Sequence, residues 1–172
     1  DGGRWPGVDS LRFGDDDDYV EIPHDAGIDF RTGESFSILL WLSCRDSEAE
    51  LVWKQEAVGE AGYALELDAG KPKLTVWDSD SNTKSVSSFK LRVDDGKWHF
   101  VVVTVDASKK KAMVYVDGAT EMDGDEEKAS LIDAGCGNDR SNRSPVRIGL
   151  RIYGGSSRKG YEGEIDELAI FQ

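Results

Sequence analysis

Three acidic stretches contain residue types and spacings that could do chemistry. Asp15-Asp16-Asp17-Asp18 is an unbroken run after Gly14, Asp78-Ser79-Asp80-Ser81-Asn82 repeats an oxygen donor at every second position, and Glu164-Ile165-Asp166-Glu167 alternates carboxylates near the end of the chain. Carboxylates at such spacings either hold a hard divalent cation, which collects six to eight oxygens, or act as an acid/base pair on a glycosidic bond, where a retaining pair needs its carboxyls ~5 Å apart. The Asp78 stretch opens like a calcium loop and then departs from it. Thr83 stands where glycine is needed and Phe89 where a bidentate Glu is needed, so it reads as a hairpin loop. Asp123-Gly124-Asp125-Glu126-Glu127 reads as a solvated loop. His24 and His99 are the only histidines, and no Ser or Cys stands in a nucleophile-elbow pattern, which leaves Ser/His/Asp and Cys/His catalysis unsupported. His99, next to Trp98 on a strand-like run, reads as a partly buried framework residue.

Aromatic faces stack on the apolar faces of sugars as they stack on other rings. Trp41, Trp53 and Trp77 fall on different predicted strands, where they either line a sugar-binding face or fill the core; Trp98 reads as core. Cys44 and Cys136 are too few for a thiolate zinc site, and a disulfide and two separate thiols both stay open. Asn142-Arg143-Ser144 has the form of an N-glycosylation acceptor, with an unfavourable Pro145 after it. The net charge of -13 opposes binding to nucleic acid and to anionic membranes and favours cations. No apolar run approaches the ~20 residues of a membrane-spanning helix, so membrane insertion is not expected. The absence of an initiating Met suggests a mature or trimmed segment of a longer protein.

These residues must be positioned by strands. The 172 residues suit one domain, and 19 glycines with no long helical pattern favour short strands and many turns. Strands are expected at 11–13, 19–22, 35–43, 51–55, 63–67, 73–77, 98–106, 112–117, 146–152 and 162–171, with a weaker one at 85–90. In FSILLWL, Phe36, Ile38, Leu40 and Leu42 alternate with Leu39 and Trp41, so both faces of that strand are apolar, as in the middle of a sheet covered on both sides. The run from Asp94 to Gly118 reads as a hairpin with Asp-Gly turns at both ends, a scaffold that contributes little to any site. Residues 121–144 read as a long loop with at most one helical turn, and YGGSSRKG as a loop between the last strands. About a dozen short strands point to an antiparallel β-sandwich or jelly roll with its last strand near its first.

LRFGDDDDYVEIP, GESFSILLWL, DDGKWHFVVVTVD, VYVDG, PVRIG and YEGEIDELAIF, in that order, resemble laminin-G-like domains of the concanavalin-A-like lectin/glucanase superfamily, in the group related to pentraxins. The resemblance implies an all-β jelly roll of two curved antiparallel sheets. It also implies a structural Ca²⁺ held by Asp166, by Gly33 and by the turn containing Asp15 and Asp16, although Phe13-Gly14-Asp15 departs from the Phe-Asp-Gly usual before that turn. Glucanases of the superfamily use Glu-x-Asp-x-Glu or Glu-x-Asp-x-x-Glu; here Leu168 and Ala169 follow Glu164 and Asp166, so the third acid is missing and a catalytic role is not expected. The expectation is therefore a single, non-catalytic binding module of a secreted or cell-envelope protein. Its partner would be a glycan or an extracellular protein, engaged by the acidic turn, the terminal strand, the long loops and the three tryptophans.

Overall fold

The computed structural model describes residues 3–15, 17–55, 60–88, 90–119, 140–153, 156–157 and 160–172. They form β1 (Leu11–Phe13), β2 (Val20–Ile22), a 3₁₀ turn (Ala26–Ile28), β3 (Phe36–Cys44), β4 (Ala49–Lys54), β5 (Gly62–Asp68), β6 (Lys71–Trp77), β7 (Thr83–Ser87), β8 (His99–Asp106), β9 (Lys111–Val116), β10 (Val146–Ile148), β11 (Ile152–Tyr153), β12 (Ser156–Ser157) and β13 (Gly163–Phe171). Two antiparallel sheets stack face to face, one of five strands in the order β1-β13-β3-β8-β9 and one of six in the order β2-β10-β4-β5-β6-β7. This is the all-β sandwich expected, and β1 pairs with β13, joining the chain ends.

Alternation assigns the faces. Along β3, Phe36, Ile38, Leu40, Leu42 and Cys44 are buried between the sheets, while Ser37, Leu39, Trp41 and Ser43 turn outward and are half-buried. Facing them across the core are Tyr63, Leu65 and Leu67 of β5 and Leu74 and Val76 of β6. The Phe30 and Phe36 rings stack at 4.2 Å, and Tyr63 joins them while donating its hydroxyl to the Ile28 carbonyl at 3.0 Å. At the other end of β3, the fully buried Tyr161 donates to the carbonyls of Ser43 and Glu164, which locks β13 onto β3.

Several local expectations change. β3, rather than the β8–β9 hairpin, is the middle strand of its sheet, and β9 is an edge. Trp98 lies outside β8 and is only half-buried, so it is not part of the core. The stretch read as a loop between the last strands carries the short β11–β12 pair. The proposed helical turn at 125–131 and Cys136 lie outside the described residues. Among those described, Cys44 is a free thiol, and burial pushes its pKa up to about 11.

His99 explains the paired Asp-Gly turns of the hairpin. Its Nδ1 lies 2.7 Å from Asp117 and its Nε2 2.9 Å from Asp95, so one imidazole clasps both ends. Asp117 also accepts the Phe100 amide at 2.8 Å. Burial pulls the His99 pKa down, but the hydrogen bonds to Asp117 and Asp95 outweigh it, and the net direction is up. His99 is thus the framework residue expected of it.

Candidate functional site

The three tryptophans divide between two outer faces. Trp53 and Trp77 lie together on the six-stranded sheet, ring centroids 5.3 Å apart. They meet above β5, where Ala64 and Gly62 are the register partners of Trp53 and Trp77 and leave room for the indoles. Trp53 is only 1% exposed, donates its ring N–H to the Gln55 carbonyl at 2.6 Å, and has the Arg151 guanidinium 4.2 Å above its ring. Around them runs a charge ladder: Arg147 with Glu21 at 3.0 Å, Arg151 with Glu50 at 3.6 Å, and Lys73 with Glu66 at 3.2 Å. Glu50 and Glu66 are cross-strand neighbours, yet each has its own cation and Glu50 is 5% exposed. This is a packed ionic layer rather than an acid/base pair facing a cleft.

The outer face of the five-stranded sheet is open. Strand register lays its side chains out in rows: Asp166, Trp41 and Phe100; then Ala169, Leu39, Val102 and Tyr115; then Phe171, Ser37, Thr104 and Met113; then Asp106 and Lys111. Trp41 stacks on Phe100 at 5.0 Å, and the Arg4 guanidinium lies 4.0 Å above Trp41 while pairing with Glu167 at 2.7 Å. Beyond the aromatic row the face sinks into a depression of about 430 Å³. Met113 and Tyr115 form its apolar side, Ser35, Ser37 and Thr104 supply hydroxyls, and Asp106, Lys109 and Lys111 supply charge. Asp106 is fixed by the Ser108 hydroxyl at 2.6 Å and by the Lys109 amide and ammonium at 3.0 Å each, which together hold its carboxyl well below the usual range. It offers hydrogen-bond acceptors beside the lysine donors.

Sequence reasoning missed these residues because it treated the β8–β9 hairpin as scaffold only. The signal available was the outward period-two series Thr104, Asp106, Lys111, Met113 and Tyr115, more polar and more varied than the valines alternating with it.

The proposed calcium ligands are not brought together. Gly33 lies in the turn before the Phe36 end of β3, whereas Asp15 follows β1, whose Phe13 pairs through Gly163 to Cys44 at the opposite end. Eight residues of strand at ~3.3 Å each separate those ends by roughly 26 Å. Asp166 sits between them, opposite Trp41, with one oxygen bonded to the Glu167 amide and the other buried without a hydrogen-bond partner. Asp16 lies outside the described residues. Gly33 and Asp15 cannot share one ion at that separation, and among the described residues no group of three or more His, Cys, Asp or Glu side chains is placed to hold a metal. Asp18, not Asp15, organises the acidic turn by accepting the amides of Gly14 and Asp15. Asp78 likewise spends its oxygens on Asp80 and Asn82 N–H groups, which closes the β6–β7 loop. Glu164 and Asp166 face outward with Leu168 and Ala169 at the positions where the glucanase motifs carry their third acid, and the remaining acid of β13, Glu167, is paired with Arg4.

A family model of the laminin G type, described as the concanavalin A-like lectin/glucanases superfamily, matches residues 13–172. The chain belongs to this superfamily. Solved structures agree on the fold. Domains LG4-5 of the mouse laminin alpha1 chain superpose with a TM-score of 0.68 at 20% identity, covering 98% of this chain and 42% of that one. The binding domain of Paraclostridial Mosquitocidal Protein 1 gives 0.71 at 15% identity, covering 97% and 42%. The ligand-binding domain of botulinum neurotoxin serotype D, solved with N-acetylneuraminic acid, gives 0.67 at 14% identity, covering 94% and 38%. The chain therefore spans about two-fifths of each of these structures. A search of curated proteins gives no sequence match. The chain is thus a laminin-G-like member of that superfamily, and among its described residues no helix is long and apolar enough to cross a membrane.

Proposed function

We propose that this domain is a non-catalytic, extracellular recognition module that binds a glycan on the open face of its five-stranded sheet. The carrying observation is the depression at Met113 and Tyr115, where an aromatic and a thioether side chain are bordered by three hydroxyls, a fixed carboxylate and two ammonium groups. Sugars need that combination, since their hydroxyls both donate and accept while their C–H faces take an aromatic ring. The Trp53–Trp77 face carries comparable residue types, but Arg151 already occupies its indole. The binding domain solved with N-acetylneuraminic acid supports a sugar as the ligand class by likeness of fold. The test is a glycan array followed by titration calorimetry on Tyr115→Ala. Binding by the native chain and its loss in the variant is expected, and a blank array ends the sugar reading.

A protein ligand is the second reading. It is favoured by the Leu39, Val102 and Trp41–Phe100 side chains, which form an apolar ribbon beside the depression. Neither reading uses calcium at Asp15, Gly33 or Asp166.

A further inference from the structure

One buried cluster at the end of β4 has the parts of a reactive centre. Lys54, the last residue of β4, has a side chain only 1% exposed. Its Nζ lies 2.8 Å from the Asn142 side-chain oxygen, 2.9 Å from the Asn142 backbone oxygen and 3.1 Å from the Ser144 oxygen. Because a C=O bond is ~1.2 Å long, the amine is at most about 4.0 Å from the Asn142 amide carbon, close to attack distance. The Asp29 carboxylate is 3.3 Å from the same Nζ and is itself 12% exposed. Burial pulls the Lys54 pKa down, opposed by Asp29, which brings the neutral amine within easier reach than in water.

The other two requirements of acyl transfer are also present. The Asn142 side-chain oxygen accepts the Ser144 amide at 2.9 Å, so a backbone N–H already points at the atom that would become an oxyanion. The Asn142 side-chain nitrogen donates to the carbonyls of Lys54 at 3.0 Å and Ala61 at 2.6 Å. Those carbonyls would stabilise positive charge on that nitrogen as it becomes a leaving ammonia. The Asn142 backbone amide, at 2.9 Å from Asp29, keeps base and amide in one unit.

We propose that Lys54 and Asn142 condense to an intramolecular isopeptide bond, with Asp29 as the proton carrier. Asp29 takes a proton from the Lys54 ammonium, and the freed amine attacks the Asn142 amide carbon. The resulting oxyanion is held by the Ser144 N–H. Asp29 then returns the proton to the side-chain nitrogen and takes a second one from the attacking nitrogen, the C–N bond to the side-chain nitrogen breaks, and ammonia departs and carries that second proton away as ammonium. The N–C bond formed replaces the one broken, and no oxidant or cofactor enters. The product ties the end of β4 covalently to the segment leading into β10, across 88 residues of chain, with a bond that reducing agents do not cleave. The same geometry excludes Asn142 as a glycan acceptor, since both hydrogens of its side-chain nitrogen are committed inside the domain.

The test is the intact mass of the purified, folded chain before and after prolonged incubation. The expected result is a mass lower than the sequence mass by one ammonia, with a branched peptide containing Lys54 and Asn142 after proteolysis. Lys54→Arg should keep the full mass, and Asp29→Asn should delay the loss. A native chain that holds its full sequence mass overturns the proposal. So does an ammonia loss that persists in Lys54→Arg, because a succinimide elsewhere would then be its source.

Discussion

Replacing His99 with Gln should remove a pH-dependent part of the domain's stability. The imidazole is 13% exposed and touches Asp95 and Asp117, which are 43% and 49% exposed, so screening takes most of the charge–charge energy. A charge-assisted hydrogen bond contributes about 1.5–3 kcal/mol when shielded, and partners half in water reduce the His99 clasp to roughly 1 kcal/mol. The His99 pKa is raised above its unfolded value of 6.5. The folded state therefore binds the proton more tightly, and the stabilisation is fully present below pH 6.5 and lost as pH rises through the folded pKa. Urea unfolding of the native chain and of His99→Gln, compared at about pH 6 and about pH 9, isolates the effect because every other titrating group is common to both. The native chain should exceed the variant by roughly 1 kcal/mol at the lower pH, with most of that charge term gone at the higher. A difference that stays constant, or that grows with pH, would refute a charged clasp.

Other consequences follow from packing and register. Leu40→Ala, at a fully buried site on the middle strand, should lower unfolding free energy by about 2–5 kcal/mol in denaturant melts. Asp18→Ala leaves the amides of Gly14 and Asp15 without their acceptor; because the turn is exposed, water replaces it and the loss should stay near 1 kcal/mol in the same assay. Asp15→Asn and Asp166→Asn should be additive to within about 0.5 kcal/mol with calcium present, since the two sites share no ion. Strong coupling between them would restore the shared-ion arrangement.

The fold was legible because its signals are local. The alternation in β3 names its two faces, and the Asp-Gly pairs at 95–96 and 117–118 bracket the β8–β9 hairpin. Register and sheet order were not legible, because they depend on which strands meet across the sandwich. That is why Trp41 could not be separated from Trp53 and Trp77 in the sequence, although they occupy opposite faces. It is also why Gly33 and Asp15, each a reasonable calcium ligand alone, were grouped despite standing at opposite ends of β3. The Lys54, Asp29 and Asn142 cluster had no sequence signal, since its members come from three separated segments and Lys54 resembles any strand-end lysine.

Paired calorimetric titrations of one glycan from the array, against Tyr115→Ala and Trp77→Ala, test the assignment of binding to the five-stranded face most directly. Tyr115→Ala should abolish the heat of binding while leaving the melting temperature close to that of the native chain, and Trp77→Ala should bind as the native chain does. Binding that survives Tyr115→Ala and disappears in a folded Trp77→Ala would contradict it and move the site to the six-stranded face.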